Sequence, residues 1–259
     1  MTGTSLRTPT PKDFELFGAL SMTRVVDRHH ACAITGRADV SISTSNAWLL
    51  KLVAAGLLKR FFIATESGGV KALYSLTQRS AALAGVPFRP VLRKTDSVLI
   101  SDQFVQHQLA INDLFIQVKY RALPLEDAEA IRWIRFTGPI SNRIPLIPDG
   151  YFELRVGTDV HSMFCEVDRG TEAQKAWTKK ACFYLELALS GEFEHLFRGK
   201  RFRVLVVALS ERRLAQIRKT VCQETQKLFW FTTLNAINRD GMFAAHWVRP
   251  VGDNKLSLL

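Results

Sequence analysis

The chain has 259 residues, 47% hydrophobic and 23% charged, which suits one large or two small folded domains and excludes global disorder. No run approaches the roughly 20 apolar residues of a membrane helix, and the amino-terminal dozen lacks an apolar signal core, so a soluble cytoplasmic protein is expected. The net charge of +11 is uneven: residues 1–95 hold 13 Lys/Arg against 5 Asp/Glu and the remainder 22 against 19, so the amino-terminal third is the part suited to a polyanion.

Residues 1–12 read as a flexible lead. Phe14, Leu16, Phe17, Leu20 and Met22 then mark an amphipathic helix behind Lys12 and Asp13, and a second helix covers Thr23 to His30, with Gly36 suited to a helix end. His29 and His30, beside Arg28, read as a polar surface of that second helix, since no third ligand for a metal stands near. In a third helix Ala47, Leu50, Val53 or Ala54, and Leu57 recur at helical spacing and are expected to face the core. Ser43, Thr44, Asn46 and Lys51 then lie on its outer face. Two short apolar strands follow, separated by a Glu66-Ser67-Gly68-Gly69 turn.

That order predicts a winged helix-turn-helix over residues 13–85, a plan that lays one helix in the major groove of double-stranded DNA and a hairpin beside it. Ser43, Thr44, Asn46 and Lys51, with Arg60 and Lys71 from the wing, are the candidate DNA contacts. The plainer alternative makes Ser43 or Thr44 a helix cap and Lys51 a solvated lysine. Pro87 and Pro90 place a linker at 86–95.

Residues 96–259 change pattern. A long amphipathic helix is predicted over 97–119. Strand candidates follow at Ile131–Phe136, Tyr151–Val156, His161–Asp168, Arg203–Leu209 and Leu228–Thr232, with helices at Glu172–Ser190 and Glu211–Gln226. This alternation is that of an α/β domain with a central sheet, giving an α+β chain as a whole. The basic run from Arg198 to Arg203 reads as a solvated loop entering a strand or as an extension of a DNA footprint. Trp230, Phe231, Phe243 and Trp247 read as late core or as an interface, the latter consistent with a homodimer. Cys32, Cys165, Cys182 and Cys222 form no C-x-x-C pair, so reduced thiols are expected rather than a zinc ribbon.

Within the second domain Pro148-Asp149-Gly150 opens one strand and Glu166-Val167-Asp168 closes the next. Alternation puts Phe164, Glu166 and Asp168 on one face. Asp149 and Glu166 would supply hard oxygen ligands for Mg²⁺, at the spacing of the PD-(D/E)xK nuclease core. The lysine of that core is replaced by Asp168, and Lys175, Lys179 or Lys180 on the following helix could substitute. The catalytic candidates are therefore Asp149, Glu166, Asp168 and Lys179, with Asp149 and Glu166 as metal ligands. The competing reading is a degenerate, non-catalytic scaffold needing no cofactor, in which Glu166, Asp168 and Arg169 form a salt-bridged strand end. Tyr184, on an apolar helical stripe, reads as a core residue rather than a nucleophile.

Over roughly residues 13–210 the chain resembles the plasmid replication-relaxation family. The resemblance is carried by His107-Gln108-Leu109-Ala110-Ile111-Asn112-Asp113, Pro148-Asp149, the run Glu166-Val167-Asp168-Arg169-Gly170-Thr171-Glu172, and Lys179 or Lys180 with Tyr184 on the next helix. It implies a DNA-binding protein of a plasmid or other mobile element, acting in replication and relaxation or in transcriptional control. It also implies a restriction-endonuclease-like second domain.

Overall fold

The computed structural model describes residues 8–65, 68–100, 102–170 and 172–259. Residues 1–7 of the expected lead, Glu66 and Ser67 of the expected turn, and Thr171 lie outside them. The fold is a mixed α+β one with two mixed sheets, divided into compact units Met1–Ile116 and Gln117–Leu259.

In the first unit α1 spans Pro11–Thr23. Thr10 and Asp13 cap it reciprocally and Pro11 fills its first turn, so it starts inside the expected lead. Arg24, at φ 62°, stops it. Extended β1 (Val26–Asp27) then precedes α2 (Arg28–Ile34), so Thr23 to His30 is not one helix. Asp27 accepts the His30 amide at 2.9 Å and caps α2. There follow α3 (Ile42–Ala54), β2 (Leu58–Ala64), β3 (Val70–Leu76), α4 (Gln78–Ala84), β4 (Val98–Leu99) and α5 (Gln103–Lys119). The sheet order is β1-β3-β2-β4, with β3 antiparallel to β1 and β2, and β4 parallel to β2.

Three expectations are corrected here. The inner face of α3 is Ser45, Trp48, Leu49 and Leu52, whereas Leu50 is 43% exposed and Ala47 and Ala54 are open. Trp48 sets this rotation: its indole nitrogen donates to buried Asp13 at 2.7 Å, a bond that apolar periodicity does not register. The long helix begins at Gln103 rather than residue 97, because Val98 and Leu99 pair with Phe62 and Ile63 and Asp102 accepts the Val105 amide at 3.0 Å. The units also part after Ile116 rather than within 86–95. Val91, inside the expected linker, is buried with Val25, Phe61, Ile63, Leu73 and Val105.

In the second unit β5 (Ala128–Ile134), β6 (Gly150–Val156) and β7 (Asp159–Asp168) form an antiparallel meander. Helices α6 (Gln174–Leu189) and α7 (Glu192–Phe197) lead to β8 (Phe202–Ala208), and α8 (Glu211–Glu224) leads to β9 (Phe229–Thr233), before α9 (Leu234–Asp240). β7, β8 and β9 run parallel, so the five strands lie in chain order. Their core joins Tyr151, Phe164, Val204, Val206, Phe229 and Phe231 to Trp177, Ala181, Tyr184 and Leu187 of α6 and to Leu214, Ile217 and Val221 of α8. Every predicted strand of this unit is present, with ends shifted by up to three residues. Phe231 and Trp247 are fully buried, so these aromatics belong to the core rather than to a surface for a second copy.

Candidate functional site

Strand alternation and a helix packed over the sheet build the acidic cluster. Glu166 and Asp168 follow Phe164 on the face of β7 that α6 covers, and Glu166 is fully buried. A carboxylate there needs partners. One of its oxygens accepts the Tyr184 hydroxyl at 2.6 Å and the other the Lys180 ammonium at 2.8 Å. Lys180 also reaches Glu172 at 2.7 Å. Burial pushes Glu166 up to about 7 against the pull of Lys180, and the neighbouring Asp149 adds to the rise. Burial acts to lower Lys180, but Glu166, Glu172 and Asp149 outweigh it and raise it, so the ammonium keeps its proton.

Asp168 is held differently. Arg213 of α8 grips it with two hydrogen bonds, at 2.7 and 2.8 Å, while the Trp177 indole donates at 2.9 Å and the Gly170 amide at 2.6 Å. Burial would raise this carboxyl, yet those donors hold it below its usual range. Asp149 accepts the Val167 amide at 2.7 Å and so fastens the start of β6 to the end of β7.

Of the sequence candidates, Asp149, Glu166 and Asp168 converge, and Lys179 does not. It is exposed, and the lysine one residue on, Lys180, occupies the cluster. The strand-end partners are likewise Lys180 and Arg213, in addition to whatever Arg169 contributes. Arg213, 45 residues from its partner in sequence, carried no local signal. Tyr184 is both a core residue and a donor to the cluster.

As a place for Mg²⁺ the residues do not fit. Both Glu166 oxygens are taken by protein donors, and among the described residues no group of three or more His, Cys, Asp or Glu could hold an ion. Glu172 Oε2 is buried without a partner, but the other oxygen of that carboxylate already lies on Lys180, and one oxygen is no ligand set.

In the first unit Ser43, Thr44 and Lys51 are exposed on α3 and Asn46 is half-buried. The cap is Ser41, whose hydroxyl accepts the Thr44 amide at 3.2 Å, so neither Ser43 nor Thr44 serves as it. Arg60 and Lys71 already have acidic partners, Asp96 at 2.6 Å and Asp27 at 3.1 Å. Exposed α3 is therefore less encumbered than the β2–β3 pair.

A family model described as replication-relaxation matches residues 19–198, more than two thirds of the chain. The chain belongs to the replication-relaxation family. No curated protein and no solved structure gives a match. Membership connects this replication-relaxation protein with replication and relaxation, and the matched span includes both α3 and the β7–α6 cluster. Among the described residues no helix is long and apolar enough to cross a membrane.

The His107–Asp113 stretch of this replication-relaxation chain supplies residues that sequence reasoning left without a role. Asn112 donates to the carbonyls of Val25 at 2.5 Å and Thr23 at 3.2 Å, and accepts from Gln108 at 2.8 Å. Asp113 meets His30 at 2.7 Å. His30 is thus buried between Asp27 and Asp113 rather than on a polar helix surface.

Proposed function

We propose that this protein binds double-stranded DNA through α3 and serves replication and relaxation, or transcriptional control, of a plasmid or mobile element. One observation carries the reading: the order α1-β1-α2-α3-β2-β3, with β1 paired to β3, is that of a winged helix whose third helix keeps hydroxyl, amide and ammonium groups near its accessible face. The uneven positive charge supports it. Ser43 and Thr44 at the helix start are placed for phosphate or base-edge hydrogen bonds, and Lys51 for a phosphate. The second unit, in this reading, is a PD-(D/E)xK-like scaffold whose carboxylates hold β6, β7, α6 and α8 together, and it serves docking or dimerisation rather than cleavage.

The test is duplex binding by fluorescence anisotropy at several salt concentrations. Affinity should fall steeply with salt, and Asn46→Ala with Lys51→Ala should weaken it about tenfold or more. Unchanged affinity in that double variant would refute the role of α3.

A nuclease is the second reading, favoured by Lys180 standing beside Glu166 where the sequence withholds the usual lysine. It requires that lysine to release Glu166. Mg²⁺-dependent nicking of supercoiled DNA, lost in Asp149→Asn while duplex binding persists, would establish it. Intact supercoiled, linear and single-stranded DNA after incubation would dismiss it.

A further inference from the structure

At the opposite end of the second sheet lies a cleft of about 690 Å³, lined by Asp159 and His161 of β7, Arg201 and Arg203 at the entry to β8, Lys227 before β9, and Arg249. Ser162 pairs with Phe202 near the cleft and Asp168 with Ala208 near the acidic cluster. Six residues of strand, about 20 Å, separate the two places. The basic run noted in the sequence thus converges with two cations distant along the chain.

Four permanent cations face one carboxylate here. Among the described residues none of the four makes an ion pair. The guanidinium carbons of Arg203 and Arg249 lie 5.0 and 4.9 Å from the centre of the same Trp230 ring, and Arg203 is tied down by the Leu258 carbonyl at 2.6 Å. Burial, then the charge of Arg249, lowers Arg203, while burial alone lowers Arg249. His161 is lowered too, by burial and then by Arg203, against the opposing pull of Asp159. Like charges are being held together, half-buried, at an electrostatic cost that a bound anion would offset. A ligand of several negative charges matches four cations, and guanidinium forks match phosphate oxygens.

We propose that this cleft is a phosphate-binding site, occupied by successive backbone phosphates of DNA or by the phosphate chain of a free nucleotide. It is independent of α3. The 259-residue chain is titrated with thymidine triphosphate by calorimetry and with a 20-base-pair duplex by anisotropy. The variant joins Arg201→Gln, Lys227→Gln and Arg249→Gln, and a control neutralises Arg121, Arg212 and Lys219, exposed cations of the same unit.

A loss of about tenfold or more for the nucleotide, absent in the control, supports the site with a free nucleotide as its ligand. The same loss for the duplex alone, with a salt dependence shallower by about two to three contacts, supports it with the DNA backbone as its ligand. No binding of either probe, unchanged affinity for both, or an equal loss in the control overturns the proposal. Should the triple variant melt early, Arg201→Gln with Lys227→Gln alters only exposed side chains, and at least a threefold loss is then required.

Discussion

The buried Glu166 is where single residues decide most. Lys180 neutralises it from α6, so Lys180→Met leaves a buried carboxylate without its cation, and the second unit should lose about 3–5 kcal/mol in denaturant unfolding. Combining Lys180→Met with Glu166→Leu should recover much of that loss, because a well-packed apolar pair avoids the cost of desolvating two charges. If Lys180→Met unfolds at the wild-type midpoint, the ion pair is not holding the cluster.

The pH dependence follows from two raised groups. Glu166 titrates near 7 in the folded chain against a usual 4.5, so between those values the folded state keeps a proton that the unfolded state has released. Burial works to lower His30, but Asp113 and Asp27 outweigh it and raise it above 6.5, so its stabilisation is full below 6.5 and fades as pH climbs through the folded value. Both act in one direction. Thermal midpoints should decline from pH 5 to 8, and Glu166→Gln or His30→Gln should flatten that decline. A midpoint that rises over this range would contradict both assignments.

At the level of elements, α3 shows what was and was not legible. Its existence and the strand pair after it follow from apolar spacing and turn residues, because those are local properties. Its rotation does not, because it is fixed by Trp48 reaching Asp13 on another helix. Apolar counting favoured Leu50 for the core, and the structure leaves it open. Trp48→Phe removes that donor together with one ring of the buried indole, so the loss should reach at least about 1.5–3 kcal/mol, the scale of a hydrogen bond to a charged group. A loss under 0.5 kcal/mol would mean packing alone sets the rotation. The acidic cluster divides the same way. Asp149, Glu166 and Asp168 could be found from strand-end motifs, whereas choosing Lys180 over Lys179 needed the phase of α6, and Arg213 needed the tertiary fold.

Over the whole molecule, two cores form around two sheets, and the two groups of residues just discussed belong to different units. Calorimetry should therefore resolve more than one unfolding transition, with Trp48→Phe lowering one and Lys180→Met the other. A single transition moved equally by both substitutions would show the units to be one cooperative block. The break at 86–95 proposed from prolines misplaced this division because prolines report local stiffness. They are silent about α5, whose polar residues return to the first unit.

The clasp of Asn112 on the Thr23 and Val25 carbonyls has a practical corollary for anyone wishing to isolate the amino-terminal half. A fragment cut at the prolines would discard that amide along with Val105 and the carboxylate that greets His30, stripping one wall from its own interior. Carrying the cut past Lys119 retains the whole of α5, and with it the closure of the unit.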